Sequence, residues 1–544
     1  MISIQGGRGR RKGIAVLITA GCLAAAVPVV GLAIDASVLY VVKAKLSASA
    51  DAAALAAARA LNVGLTMADQ ESSARARAEA FFTANFPPRH LNTHSTSVEV
   101  AVAETAYRTR SVTVTARAVT PLYFMRLLRS GAATVWAEGK ASRRDVNLVL
   151  VLDVSGSMNF GSTPTPCAMM RDAARVFVGQ FANGRDRLAL ITFSTAYRMA
   201  FRPSQDFKTA SPNLDGILAG LTCNGGTGSA QAITKAYEIL STGIQDPDIS
   251  VAGINEPGAL NLIVFFTDGR PNGIVISAPV KTRSDTRHGP FRTSGGGWSG
   301  NTTGEFSHLP SSCRDAQGDS FDRNAGAGSA QFTAPDWNPN WTPANKTGVL
   351  AAEGSATAGH GATMGLYNFT SGGTGTIADR AGCGFSANDR VRADIAYIPP
   401  QDIYGNRTDC CYYGSAEIHV SGTLTFAHPI QQFASGVYRG FIRPDHPIDV
   451  GKASANALDN ISLRVVSDAR LSPMIYSIGL GDINPANPDS IDPVILKRVA
   501  NARDPENARY NPDFMTGLYV YAPNAAALSA AFAQVASEIL RLAR

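Results

Sequence analysis

Hydrophobic positions follow three regimes along this chain. From Ile14 to Ile34, 21 residues pass without a charge, enough helix to cross a hydrocarbon core about 30 Å thick. The stretch after Asp35 is rich in Ala and Leu and holds no proline before Ala60, so the helix is predicted to continue to about Ala60. A second helix is predicted from about Met67 to Phe82. Apolar and polar residues then alternate over 97–103 and 111–118, as in half-buried strands.

From Asp145 onward, short apolar runs alternate with helical periods. Strands are predicted at about 147–153, 187–194, 261–267, 473–479 and 517–522, with a short edge strand near 197–202. Helices are predicted at about 167–182, 229–241, 452–470, 493–501 and 525–542. Asp492-Pro493 is a sound helix start, an N-cap followed by a proline in the first turn. This order predicts an α/β fold, a doubly wound, mostly parallel sheet with helices on both faces.

At 544 residues the chain has room for about three or four domains. Its 45% hydrophobic and 17% charged residues describe folded protein rather than disorder. The net charge of +6 overstates how basic the body is. Removing Arg8, Arg10, Arg11 and Lys12 leaves 45 basic against 43 acidic residues, and nothing argues for nucleic acid as a partner.

That basic cluster directly precedes the apolar run. By the positive-inside rule it stays in the cytoplasm, and everything after Asp35 lies across the membrane. Three processing signals are incomplete. Ala24-Ala25-Ala26 offers a signal-peptide site, but apolar sequence continues past it. Thr19-Ala20-Gly21-Cys22 lacks the Leu of a lipoprotein box, and Lys12-Gly13-Ile14 has Ile18 where a prepilin site has Glu. Beyond the membrane lie Cys167, Cys223, Cys313, Cys383, Cys410 and Cys411, an even number that favours disulfides in an oxidising compartment. No C-x-x-C pair suggests zinc.

Candidate chemistry begins where the apolar run Val146 to Leu152 gives way to Asp153-Val154-Ser155-Gly156-Ser157. Asp and two Ser spaced by two can turn three hard oxygens toward one point, which suits Mg²⁺ or Mn²⁺. Two further groups follow in order. Thr227 stands in Gly225-Gly226-Thr227-Gly228-Ser229 ahead of a helix, and Asp268 in Thr267-Asp268-Gly269 ends an apolar strand. A lone Asp-x-Ser-x-Ser is weak, because these residues populate ordinary turns; three matches at strand ends and a helix start are much more specific.

The set resembles the metal-ion-dependent adhesion site of von Willebrand factor type A domains. The resemblance implies a metal held by Asp153, Ser155, Ser157, Thr227 and Asp268, with the two Asp acting partly through water. It also implies an open coordination position completed by a carboxylate from a protein ligand. Met474 to Gly481 is similar to the fifth strand of such a domain, and Leu528 to Leu540 to its last helix. Where the family has one helix between Asp268 and that strand, about 180 residues intervene here, with Trp298, Trp337 and Trp341 and four of the exported cysteines. Short strands are predicted in it at 393–398 and 418–426. Cys167 opens the helix after the Asp-x-Ser-x-Ser loop and Cys223 lies just before Thr227, so a Cys167–Cys223 disulfide beside the metal site is expected.

The first 60 residues resemble the N-terminal region of TadE/TadG-like proteins of tight-adherence (Flp) pilus assembly. A basic segment precedes one apolar helix, Ile34-Asp35-Ala36 marks its outer end, and Ser49-Ala50-Asp51-Ala52-Ala53-Ala54-Leu55 follows. Some members carry a type A domain after this anchor. The domains expected are therefore 1–62, with the basic segment, a membrane helix at about 14–34 and its extension; 63–142, a small α+β region; 145–270 with 451–544, the type A domain; and 271–450, a Cys-containing insertion.

The function implied is that of a single-pass protein of a bacterial inner membrane, its bulk periplasmic or surface-exposed. It would bind a carboxylate-bearing protein or other pilus-assembly components, in pilus assembly or adhesion. A structural pilus-machine subunit with a non-essential metal site is the alternative. A metal-dependent hydrolase is disfavoured: no His lies between Ser97 and Arg287, and H-E-x-x-H, G-x-S-x-G and P-loop motifs are missing. The chain reads as a non-enzyme.

Overall fold

The computed structural model describes residues 10–127, 131–160, 163–246, 249–280, 291–292, 298–299, 344–353, 363–367, 398–413, 447–484 and 490–543. The chain divides into two units, Met1–Arg144 with Leu542–Arg544, and Asp145–Arg541.

The first unit is built on one helix, α1 (Arg10–Ala60). Between Val16 and Ile34 its large apolar side chains are mostly exposed. This part has the length and composition of a membrane span. Past it the helix becomes one-sided, burying Val42, Leu46, Ala50, Ala53, Ala54 and Ala57 at the i, i+3, i+4 spacing of a core-facing stripe. That stripe packs against α2 (Met67–Asn85) and an antiparallel sheet of β1 (His94–Ala106), β2 (Thr109–Pro121) and β3 (Ala132–Arg144), in the order β1-β2-β3. Small residues let backbone approach backbone here: a side chain on Gly139 of β3 would start 2.4 Å from the Ala50 carbonyl oxygen. Helix α2 starts with a capping box, Thr66 accepting from Asp69 N and the Asp69 carboxylate accepting from Thr66 N.

The second unit is the doubly wound sheet. Its strands are β4 (Val146–Asp153), β5 (Arg187–Phe193), β6 (Tyr197–Ser204), β9 (Leu260–Thr267), β15 (Met474–Leu480) and β16 (Tyr519–Ala522). The order is β16-β15-β9-β4-β5-β6, parallel throughout except for the antiparallel edge strand β6. Every residue of β4, β9 and β15 is buried, as continuous apolar runs require when helices cover both faces.

Successive residues serve opposite faces. Phe265 stacks on Phe193, with centroids 5.6 Å apart, on the side of α5 (Ser229–Leu240), α6 (Pro447–Val466) and α7 (Pro493–Val499). Phe266 meets Phe532 of α8 (Leu528–Leu542), which also packs on Phe177 of α3 (Pro166–Gly179). Helix α8 is apolar enough to span a membrane by composition, but Phe532, Val535 and Ile539 are buried in the protein. A short helix, α4 (Leu214–Ala219), and a hairpin of β7 (Gly243–Asp246) and β8 (Ile249–Ala252) complete the frame.

The segment after Asp268 does not sit apart from this core. Strands β10 (Gly273–Val280), β13 (Ala344–Glu353) and β14 (Thr363–Tyr367) form an antiparallel sheet, and β11 (Phe291–Arg292) pairs with β12 (Trp298–Ser299). Ile274, Ile276, Leu350 and Ile398 join the cluster under α5 and α6. Gln231 of α5 donates to the Tyr404 hydroxyl at 3.1 Å, and Asn456 of α6 donates to the Thr408 and Tyr413 carbonyls. Cys410 and Cys411 are bonded to each other, and Cys22 is a free, exposed thiol. Cys313, Cys383, Trp337, Trp341 and the strand expected at 418–426 lie outside the described residues, as does all but Ile398 of the one expected at 393–398.

Candidate metal-binding site

Strand β4 has β5 on one side and β9 on the other, so the winding direction reverses between β4 and β9. Ligand sites of open α/β sheets lie beyond the carboxyl ends of the strands at such a point. Both strands end there in an acid: Asp153 is the last residue of β4, and Asp268 follows Thr267 at the end of β9.

Four of the five candidate side chains are joined directly or through one neighbour. Ser155 Oγ and Ser157 Oγ lie 2.9 Å apart, and they donate to the same oxygen, Asp268 Oδ1, at 3.1 and 2.9 Å. Asp153 is held from both sides: its Oδ1 accepts from Ser155 N at 2.8 Å and its Oδ2 from Thr267 Oγ1 at 2.6 Å. Thr227 is buried, and its hydroxyl oxygen lies 3.7 Å from where a side chain on Gly269 would begin. All three motifs therefore meet at one sheet edge. Asp153 and Ser155 are buried, whereas Ser157 is exposed and Asp268 and Gly269 are half-buried, so the site opens outward on the Ser157 and Asp268 side.

Two loops are zipped together to make this meeting. Asn224 N donates to Val154 O at 2.7 Å and Gly156 N to Gly225 O at 2.9 Å. Beside these bonds Cys167, in the first turn of α3, is disulfide-bonded to Cys223, with Cα atoms 6.3 Å apart. The Thr227 loop leans on the turn between β5 and β6: Gly226 N donates to Thr195 Oγ1 at 2.9 Å and Gly228 N to Ser194 O at 2.6 Å. Contact this close requires glycine, because a side chain on Gly228 would start 2.6 Å from the Thr195 carbonyl oxygen. Asn272 closes the ring, its Oδ1 accepting from Thr227 N at 2.5 Å and its own N donating to Thr227 O at 3.0 Å.

Burial, and then the neighbouring Asp268 charge, push the Asp153 carboxyl above its ordinary range, while the bonds from Thr267 and Ser155 pull it back. Burial likewise raises Asp268 against the hydroxyls of Ser157 and Ser155. Two close carboxylates with hydroxyls around them make a hard, oxygen-only donor set. Among the described residues no three His, Cys, Asp or Glu side chains gather as a metal cluster, so any cation site at this edge depends on the Ser and Thr oxygens. Sequence reasoning missed Thr267, Thr195 and Asn272. Of these, only Thr267 carried a signal, as the residue beside Asp268.

Comparison with known proteins agrees with this architecture. Residues 148–270 match the von Willebrand factor type A domain family, and residues 13–60 match the TadE/G-like Flp pilus-assembly family. The chain thus carries a type A domain behind a TadE/G-like segment. No curated protein matches it. Among solved structures it is similar to the PilB minor pilin from Streptococcus sanguinis, at 12% identity over 82% of this chain and 79% of that one, with a TM-score of 0.31. It is also similar to the vWF domain of the type V pili tip protein Mfa5 from Porphyromonas gingivalis, at 17% identity over 74% and 98%, with a TM-score of 0.32. These likenesses are distant, and nothing about this chain's ligand follows from them.

Proposed function

We propose that this is a membrane-anchored, exported binding protein whose type A domain holds a divalent cation and captures a carboxylate on a protein partner, in tight-adherence pilus assembly or surface attachment. The observation that carries the reading is the convergence of Ser155 and Ser157 on one oxygen of Asp268, at the switch point where Asp153 also ends. Asp153, Ser155, Ser157, Thr227 and Asp268 would hold the cation, Mg²⁺ or Mn²⁺ by the hardness of the donors.

Two carboxylates and three neutral hydroxyls give five side-chain donors, one short of six positions, so a bound cation would keep an open position that the oxygen of a partner's Asp or Glu side chain can fill. Ser157 and Asp268, on the open side, are where that side chain would approach. The protein's own part is to hold its donors in place: Thr267 fixes the Asp153 carboxylate, and Asn272 fixes the Thr227 backbone. In this reading the short N-terminus stays cytoplasmic and everything after Asp35 is exported, supported by the basic residues before the apolar helix and by the Cys167–Cys223 bond.

Calorimetric titration of the full chain in detergent micelles with Mg²⁺ and Mn²⁺ tests the cation. Saturable binding lost in Asp153→Ala is expected, and equal binding by that variant defeats the reading. Pilus output and surface attachment in cells carrying Asp153→Ala, at normal protein levels, separate a binding role from a purely structural one. Unchanged output and attachment would leave the protein a structural subunit.

A further inference from the structure

Beyond the apolar helix itself, the first unit places a loop beside the outer end of the uncharged run. Gly31 lies three residues inside the outer end of the uncharged run Ile14 to Ile34, about 5 Å along the helix axis. It is buried, while Val29, Val30 and Leu32 around it stand exposed. What covers it is Phe124: a side chain on Gly31 would start 2.5 Å from the Phe124 ring. One turn further out, Asp35 receives the backbone N–H groups of three consecutive residues, Tyr123 at 2.8 Å, Phe124 at 3.0 Å and Met125 at 2.7 Å. A carboxylate taking three N–H bonds pins that loop to the helix.

The direction of the hairpin is fixed by two more pairs. Lys43 lies over the Trp136 ring, 4.8 Å from its centroid, and Ala50 faces Gly139. Moving outward along α1 through Gly31, Asp35, Lys43 and Ala50, the partners run from Phe124 through Trp136 to Gly139, so β3 climbs away from the span. The connection between β2 and β3 is therefore the end of the sheet nearest the lipid. Its first residues are Leu122, Tyr123, Phe124, Met125 and Arg126, with Tyr123 and Arg126 exposed. Aromatic rings with a cation at the rim are the composition of a bilayer interface.

We infer that the start of the β2–β3 loop, residues 122–126, is a second membrane-binding element that seats in the outer headgroup region, locked to α1 by Phe124 on Gly31 and by the Asp35 carboxylate. It rests on the reading of α1 as a membrane span. Its consequence is mechanical: α1 and the sheet packed on it are tied to the bilayer at two points, so together they cannot tilt freely relative to the membrane.

Tryptophan fluorescence of the full chain in proteoliposomes tests this, with phosphatidylcholine brominated near the headgroup end of its acyl chains as quencher. Emission added by Tyr123→Trp, or by Arg126→Trp should the lost bond from Asn92 to the Tyr123 hydroxyl unsettle the first variant, is read above the native four tryptophans. Most of that added emission should be lost in brominated lipid, as for Val27→Trp in the span, whereas Tyr107→Trp at the opposite end of the sheet keeps its emission. Adding Gly31→Leu, which evicts Phe124, should restore emission at 123. Unquenched probes at both 123 and 126 beside a quenched Val27→Trp would overturn the loop contact and leave the span standing. An unquenched Val27→Trp would overturn the span and the loop with it.

Discussion

Thr267 donates its hydroxyl to Asp153 at 2.6 Å, tying the last residue of β9 to the last residue of β4 across the point where the sheet reverses its winding. The bond fixes which way the buried carboxylate faces, because Ser155 N already takes the other oxygen. Thr267→Val keeps the volume but removes the donor, leaving Asp153 Oδ2 without its hydroxyl. The cost is expected to be about 1–3 kcal/mol of stability, read as a lower urea midpoint at unchanged slope. Affinity for Mg²⁺ should also fall by about tenfold, the usual effect of losing a group that orients a metal ligand. Wild-type Mg²⁺ affinity in the Val variant would show that Asp153 needs no such support.

The two carboxylates set a sign for the pH dependence. Asp153 and Asp268 both titrate above the ordinary 3.8 in the folded protein, first through burial and, for Asp153, through the neighbouring charge. The native state therefore keeps protons that the unfolded chain releases. Stability of the cation-free protein falls as pH rises from about 4 toward the raised native values, and levels off above them. Asp268→Asn removes one of the two charges. In chelator this variant should be more stable than wild type near neutral pH and nearly equal to it below about pH 4, yet it should fail to bind Mg²⁺. Thermal melts across pH with chelator or Mg²⁺ read both effects; a variant less stable than wild type at neutral pH in chelator would contradict the repulsion.

Much of this edge was legible in the sequence because the anchors carry strong local signals. Asp153 and Asp268 each end an unbroken apolar run, and Thr227 stands in a glycine cluster ahead of a helix. Their supports were not legible. Thr195 and Asn272 act on the Thr227 loop only because the β5–β6 turn and the start of β10 fold against it, and neither sits in a pattern that announces this. Strand β3 escaped notice for a different reason: its inward residues include Val135, Ala137, Gly139 and Ala141, small side chains whose alternation barely registers as hydrophobic. The anchor helix was plain to its end at Ala60, whereas the partner of Gly31, more than 90 residues downstream, is a matter of tertiary packing.

Gly228 offers a test of loop position that leaves every oxygen donor intact. Its N–H bonds to Ser194 O at 2.6 Å, and a methyl group there would begin 2.6 Å from the carbonyl oxygen of Thr195. Since that obstacle is backbone, Gly228→Ala must move the Thr227 loop outward, at a cost of about 1–3 kcal/mol for an overpacked contact. Mg²⁺ binding should weaken while Asp153, Ser155, Ser157 and Asp268 remain unchanged in sequence. Calorimetry against Gly220→Ala serves as the control, because the nearest atoms to an added methyl there lie 3.6 Å away. Equal weakening in both variants would point to a general loss of helix or loop stability.

The Cys167–Cys223 bond joins the first turn of α3, where the loop after β4 ends, to the loop before α5, so it should matter most to the meeting of Ser157 with Thr227. It closes a segment with a sequence separation of 56. By chain entropy this would stabilise the fold by about 4 kcal/mol, less whatever strain the native geometry holds. The double variant Cys167→Ser, Cys223→Ser leaves the two backbone bonds between the loops, Asn224 N to Val154 O and Gly156 N to Gly225 O. It should therefore still fold at low temperature, with a lower denaturant midpoint. Its Mg²⁺ affinity should fall too, because a bound cation would have to order loops that the disulfide had already brought together, and since a weaker site gains less from the same Mg²⁺, the stability gap to wild type should widen in Mg²⁺. Denaturation of wild type and variant with and without Mg²⁺ measures both terms. An affinity unchanged by removing the bond would mean that the backbone bonds alone hold the two loops in register.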